Sequence, residues 1–330
     1  MEYRRLGESD LEVTPVALGA WAIGGWLWGG TDDKAALAGI RRAIDLGMTT
    51  IDTAAVYGFG HSERIVGRAV KGRRGEVQIL TKFGLRWDLE EGTEYFDTTD
   101  AKGRPVKVCK FGGRKSVLEE CDRSLERLGI GEIDLYQHHW PDPATPIAET
   151  MEACAHLLKQ GKIRAVGVSN YTAEMMEEAR QVVPLASDQP PYSMLKRGIE
   201  ADVLPWCRAH KVGVLAYSPL QNGLLTGKVT MDREFPEDDL RHKSPYYRKE
   251  NRRRVLAFLE KVRPIAEAHG ATLAQTVINW TIFRPGITCA LVGVRNPKQA
   301  EENAGAAGFA LTDAETAEIN DRLDELRLEL

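Results

Sequence analysis

The sequence predicts an α/β fold, a (β/α)8 TIM barrel with an N-terminal β-hairpin and long βα loops over the C-terminal rim. Three observations carry this. Eight short apolar runs alternate with amphipathic stretches, several of those stretches stop at a glycine as helices do, and unusual polar residues collect at the C-terminal ends of the runs. Strand and helix in strict alternation build parallel βα units. A doubly wound open sheet accommodates the same alternation and stays open as the alternative on pattern alone.

The elements follow in order. "YRRLG" and "LEVTPV" flank the polar turn "ESD" and form a small hairpin. Strands are expected at 16–20, 49–53, 77–82, 133–139, 165–169, 185–189, 213–218 and 288–293. Helices fall between them at "DDKAALAGIRRAIDLG", "SERIVGRAVKG", "RKSVLEECDRSLERLG", "PIAETMEACAHLLKQG", "AEMMEEARQVV" and "EADVLPWCRAH", with a longer helical region from Arg252 to Phe283. The run "RKENRRR" (248–254) is expected to be a solvated helix start. Two connections are long. Between Lys82 and Arg114 lie about thirty residues, where a βα loop usually has about 2 to 6, and "AKGRPVKV" within them is expected to form a hairpin. The other runs from Gln221 to about Arg253, and both would rise over the rim, where long loops are usually functional.

Composition bounds the function. The 330 residues are 43% hydrophobic and 28% charged, enough to fill one large barrel domain spanning 1–330. A net charge of −4 gives no reason to expect nucleic acid or an anionic membrane as partner. Five scattered cysteines without a C-x-x-C pair point away from disulfides and a zinc site, and no metal is expected. No run approaches the ~18 apolar residues of a membrane span, and the first residues lack the apolar core of a signal peptide, so a cytoplasmic location is expected.

Two glycine-rich stretches imitate phosphate loops. Gly58-Phe59-Gly60 fails the dinucleotide fingerprint because Glu63 stands where the third glycine belongs. "GLLTGKV" from Gly223 has three residues between its glycines and Val229 where a P-loop needs Ser or Thr. The chemistry is read instead from the strand ends, which carry Asp52, Lys82, His138 and His139, Ser169 with Asn170, Gln189, and Tyr217 with Ser218. Reducing a carbonyl by hydride leaves an alkoxide that needs a proton donor. A free Tyr, with a pKa of about 10, gives its proton reluctantly at neutral pH, and a nearby Lys ammonium would lower that value at about 1.4 kcal/mol per unit. On this reading Tyr57 is the donor, Lys82 tunes it, Asp52 holds the ammonium, and a neutral His orients the carbonyl. Each residue also has a plain structural reading: Asp52 as a helix cap, Tyr57 as a packed aromatic, Lys82 as half of a rim ion pair, and the histidines as barrel filling.

Taken together, "IDTAAVYGFGHSERIVGRAV", "LTKFG", "IDLYQHHWPDP", "GKIRAVGVSNY", "LAYSPLQNGLLTGK" and "LVGVRNPKQAEEN" resemble the signature blocks of the aldo-keto reductases, in order and over nearly the whole chain. Within that family the chain is most similar to the bacterial group associated with inositol catabolism and general stress, relatives of potassium-channel β subunits. The resemblance implies a catalytic tetrad of Asp52, Tyr57, Lys82 and His139, the last because it directly precedes Trp140-Pro141. It implies NADPH/NADP+ as cofactor, bound extended, and a small-molecule carbonyl or alcohol as substrate. Ala20 and Trp21 would meet the nicotinamide side, Ser169, Asn170 and Gln189 its carboxamide, and Tyr217 its ring. Ser218, Leu220, Asn222 and Gly223 would follow the pyrophosphate, with Lys228 and Arg241 approaching phosphate. Gly293, Arg295, Gln299 and Asn303 would hold the adenosine end. Arg295, just before a helix expected at Pro297, suits a 2′-phosphate, although it also suits an ordinary surface charge. Trp21, Trp87 and Trp140 would wall the pocket. A cofactor-binding regulatory protein with vestigial turnover, and more remotely a Schiff-base aldolase using Lys82, are the other classes left open.

Overall fold

The computed structural model describes residues 1–89 and 91–330. A two-stranded antiparallel hairpin, β1 (Arg4–Arg5) and β2 (Glu12–Val13), comes first. Then follow β3 (Val16–Gly19), α1 (Asp33–Asp45), β4 (Thr50–Asp52), α2 (His61–Val70) and β5 (Gln78–Phe83). The long connection after β5 carries β6 (Leu85–Arg86), β7 (Thr93–Thr99) and β8 (Pro105–Lys110), a separate antiparallel sheet in the order β6-β8-β7. The alternation resumes with α3 (Arg114–Leu128), β9 (Ile133–His138), α4 (Ile147–Lys159), β10 (Ile163–Ser169), α5 (Ala173–Arg180), β11 (Leu185–Gln189), α6 (Val203–Ala209) and β12 (Gly213–Tyr217). α7 (Lys249–Ala268), α8 (Leu273–Ile282), β13 (Cys289–Gly293), α9 (Pro297–Gly305) and α10 (Asp313–Glu325) complete it.

Eight strands close into a barrel in the order β10-β11-β12-β13-β3-β4-β5-β9, every neighbouring pair parallel. The fold is therefore the (β/α)8 TIM barrel with an N-terminal hairpin, and the open sheet is excluded. Side chains alternate between the two faces of a strand, and this parity decides which residues meet. Ala17, Leu80, Leu135, Ala165, Leu215 and Leu291 point inward and pack with Leu6, Leu11 and Val13 of the hairpin, which plugs the floor. Their sequence neighbours Leu18, Ile79, Tyr136, Val166, Ala216 and Val292 point outward into the core shared with the helices. Two residues further along β5 and β9 the inward positions are Lys82 and Gln137. The apolar floor thus gives way to a polar upper layer on the same face.

Local chemistry sets several boundaries. The Asp32 carboxylate accepts from Lys34 N and Ala35 N to start α1, and Gly129, at φ +65°, ends α3. The region expected as one helical stretch from Arg252 to Phe283 divides, because Thr272 and Gln275 form a capping box that starts α8 afresh. The expectation of a solvated start at 248–254 is corrected at Arg252. That side chain is buried and donates to the carbonyls of Thr230, Met231 and Arg233, tying the second long loop to α7. Among the described residues no helix is long and apolar enough to cross a membrane.

Candidate active site

Asp52, Tyr57, Lys82 and His139 meet at the C-terminal mouth of the barrel. Lys82 Nζ donates to Asp52 Oδ1 at 2.6 Å, to the Thr53 carbonyl at 2.9 Å and to the Tyr57 hydroxyl at 3.3 Å. Asp52 Oδ2 accepts from Gln189 Nε2 at 2.9 Å and Gln137 Nε2 at 3.3 Å. All three ammonium protons and both carboxylate oxygens are therefore engaged. Lys82 and Asp52 are almost completely buried, where a charge left without its partner would cost about 3–5 kcal/mol. The His139 ring stands edge-on to Tyr57, with centroids 5.7 Å apart and planes at 80°.

Parity also separates the two histidines. His139 follows inward-facing Gln137 by two residues and lines the cleft. His138 points outward, stacks on Phe83 at 5.1 Å and bonds Tyr171 Oη through Nδ1 at 2.7 Å. It takes no part in the cleft lining, and burial pushes its pKa down to about 4.

Tyr57 sits on a turn that only glycine permits. Gly58 adopts φ +62°, and a Cβ there would lie 2.2 Å from the Gly24 carbonyl oxygen. The two loops therefore cross backbone against backbone. Gly60, at φ +85°, is the N-cap of α2. The glycines that resemble a phosphate loop serve close approach and a sharp turn.

The titration of these groups follows from burial. The Tyr57 phenol is pushed well above 10, first by burial and then by the Asp52 carboxylate. The expected lowering by Lys82 does not prevail, because taking a phenolate out of water outweighs the contact with the ammonium. Burial pulls Lys82 below its ordinary value against the opposing attraction of Asp52. Burial, reinforced by Lys82, holds His139 well below 6.5, so its imidazole is neutral.

A cleft of about 590 Å³ opens above these residues. Its lining includes Trp21, Ser169, Asn170, Gln189, Tyr217, Ser218, Leu220, Asn222, Gly223, Lys228, Arg241, Gly293, Arg295, Gln299 and Asn303, which the sequence singled out. Among the expected cofactor contacts Ala20 is the exception: strand alternation turns it outward into the helix-side core, while Gly19 and Trp21 line the cleft. Trp87 also stays outside the lining and packs on Phe59 at 5.6 Å.

The sequence pattern of the aldo/keto reductase family matches residues 15–324. The chain belongs to the aldo/keto reductase family. It is 39% identical to aldo-keto reductase YhdN of Bacillus subtilis (strain 168), over 98% of this chain and 94% of that one. It is 35% identical to the NADH-specific methylglyoxal reductase of Escherichia coli (strain K12), over 97% and 98%. The solved structure of the glycerol dehydrogenase AKR11B4 from Gluconobacter oxydans superposes with a TM-score of 0.88 at 41% identity, covering 98% of this chain and 95% of that one. The chain is thus an oxidoreductase of a family whose members use nicotinamide cofactors.

Within this aldo/keto reductase the upper rim is already bonded to itself. Ser169 Oγ donates to the Gln189 carbonyl at 2.7 Å, and Tyr217 Oη donates to Asn170 Oδ1 at 3.0 Å. Gln189 spends its amide nitrogen on Asp52 and Gln137. Lys228 pairs with Glu302 at 2.6 Å, and Arg241 forks onto Asp239 at 2.8 and 2.6 Å. Arg295 Nη2 donates to the Gly30 carbonyl at 3.0 Å, and its backbone N–H donates to Gln299 Oε1 at 2.8 Å. Asn303 Nδ2 donates to the Gly293 carbonyl at 3.0 Å. Sequence reasoning missed Gln137, Trp26, Trp28 and Glu302. Gln137 was signalled as a polar residue inside an apolar run, and the tryptophans by their glycine-flanked cluster "GGWLWGG".

Replacing Gly58 with Ala forces the Tyr57 turn away from Gly24. A displacement on the order of 1 Å at the reacting group costs about 100-fold in rate. We expect Gly58→Ala to keep the circular dichroism spectrum of the barrel and to lose about 10- to 100-fold in kcat, measured by cofactor absorbance with an aldehyde substrate.

Proposed function

We propose that this aldo/keto reductase reduces an aldehyde or ketone to the alcohol with NADPH, or runs the reverse, with Tyr57 as general acid or base. The observation that carries the proposal is the Tyr57 hydroxyl, bonded by the Lys82 ammonium and flanked by a neutral His139 at the floor of the cleft.

Several features of the cleft fit a nicotinamide dinucleotide. The buried indole N–H groups of Trp21 and Trp28, both on lining residues, have no partner among the described residues. Ser218, Asn222 and Gly223 lie at positive φ (56°, 55° and 99°) along the stretch expected at the pyrophosphate. Gln221, between them, is also left-handed at φ 47°, and such strain in three non-glycine residues of one rim loop persists where a site is preorganised. Arg295 stands one residue ahead of the Asn296–Pro297 start of α9, whose N-terminus favours negative charge. This supports a 2′-phosphate, and hence NADPH, although the E. coli relative is named for NADH.

When bound, the reduced nicotinamide supplies the hydride to the carbonyl carbon. The chain's own contribution is the proton and its surroundings. His139, neutral, donates a hydrogen bond to the carbonyl oxygen and fixes its direction. Tyr57 Oη gives its proton to that oxygen as negative charge develops there. Lys82 stabilises the phenolate left behind, and Asp52 keeps the ammonium charged and in place. Trp21 and Trp140 exclude water from the reacting atoms.

Tyr57→Phe keeps the ring and removes the proton. We expect it to bind NADPH within about threefold of the unaltered enzyme and to lose about 100-fold or more in carbonyl reduction. Retained turnover would overturn the assignment. Because burial raises the phenol's pKa, the donor stays protonated through neutral pH, so kcat/KM for reduction is expected to be flat from about pH 6 to about pH 9 while alcohol oxidation, which needs the phenolate, rises with pH. Arg295→Ala is expected to raise KM for NADPH about tenfold while leaving that for NADH nearly unchanged; equal effects on both cofactors would argue against 2′-phosphate recognition.

A further inference from the structure

At its Tyr57 end the cleft is walled by Trp26, Val56, Leu85, Tyr95, Phe96 and Trp140. Most of these belong to a small apolar cluster of their own, separate from the floor of the barrel and from the helix-side core. Two of the six come from β7, and a regular strand would not supply both. Successive strand residues point to opposite faces, yet Tyr95 and Phe96 are neighbours and both line the cleft.

The pairing of β7 with β8 explains this. Glu94 faces Cys109 and Phe96 faces Val108, so Tyr95 is an extra residue with no partner opposite. That is a β-bulge, which re-aims side chains and increases the local twist.

The bulged strand is pinned on both sides. Phe96 stacks on Trp26, with centroids 5.7 Å apart and planes at 15°, and Trp26 Nε1 donates to Thr98 Oγ1 at 2.9 Å. Tyr95 packs on Trp140 at 5.6 Å, and Lys110 Nζ lies over both rings at 4.4 and 5.1 Å. At the root, Thr93 Oγ1 and Gly112 N both donate to the Asp142 carboxylate, at 2.9 and 3.1 Å. The rings are ordered before any ligand arrives, so binding does not have to supply that ordering.

We infer that the β7–β8 hairpin is the specificity element of this enzyme. Its bulge-presented Tyr95 and Phe96 select carbonyl substrates bearing a flat apolar arm, such as an aryl group, over small polar ones. The inference rests on the carbonyl-reducing reading of the cleft and adds the substrate class to it. Fixed aromatic faces bind another flat ring by offset or edge contacts. Apart from the Tyr95 hydroxyl and the Trp140 indole N–H, they give a hydroxylated chain little to replace the water it sheds. Methylglyoxal, for which the E. coli relative is named, carries no such arm.

The test compares kcat/KM for 2-naphthaldehyde and methylglyoxal at saturating NADPH, in the unaltered enzyme and in the Tyr95→Ala/Phe96→Ala double variant. The unaltered enzyme is expected to favour the naphthaldehyde by about tenfold or more. In the double variant the ratio is expected to fall by about tenfold, mainly through a higher KM for the naphthaldehyde. A preference for methylglyoxal in the unaltered enzyme overturns the inference without needing any variant to fold. So does a ratio that the double variant, or the milder Phe96→Leu, leaves unchanged. Turnover of neither aldehyde, by contrast, removes the carbonyl-reducing reading itself and the inference with it.

Discussion

The buried ion pair of Lys82 and Asp52 is the constraint on which the rest of the mouth of the barrel depends. A lysine with almost no exposure keeps its charge only if each proton finds an acceptor, and here the acceptors are Asp52, the Thr53 carbonyl and the Tyr57 hydroxyl. Asp52 in turn needs Gln137 and Gln189 for its second oxygen. One charge pair thereby fixes side chains from β4, β5, β9 and β11 and aims a phenol into the cleft. The apolar floor below, closed by Leu6, Leu11 and Val13, keeps water away from the pair.

The direction of the phenol's pKa suits a reductase better than the sequence expectation did. With Tyr57 as the proposed donor, a phenol raised well above 10 keeps its proton at neutral pH, and an alkoxide is basic enough to take it. On the proposed mechanism the ammonium acts where charge develops, on the phenolate after transfer, rather than by ionising the resting tyrosine. Sequence reasoning placed Lys82 near Tyr57 but had no measure of burial, and burial decided the sign.

The barrel was legible because alternation and strand-end chemistry are local signals. So were the start of α9 at Pro297 and the presence of something unusual between Lys82 and Arg114. Three features were hidden for a common physical reason: they depend on contacts between residues distant in sequence. The need for glycine at 58 comes from the Gly24 carbonyl across the loop crossing. The outward turn of Ala20 and His138 depends on strand parity, which the closed barrel fixes. The exposure of Tyr95 and Phe96 to the same cleft depends on a register shift against β8 that no spacing along β7 reveals.

The central claim is that Asp52 and Lys82 act on the proton transfer as one unit. A double-mutant cycle in single-turnover reduction tests it most directly, using Asp52→Asn, Lys82→Met and the two combined. The account predicts that each single change slows the step by about 100-fold or more and that the double variant is no slower than the slower single one. Rate losses that multiply across the two changes would show two independent contributions and contradict it.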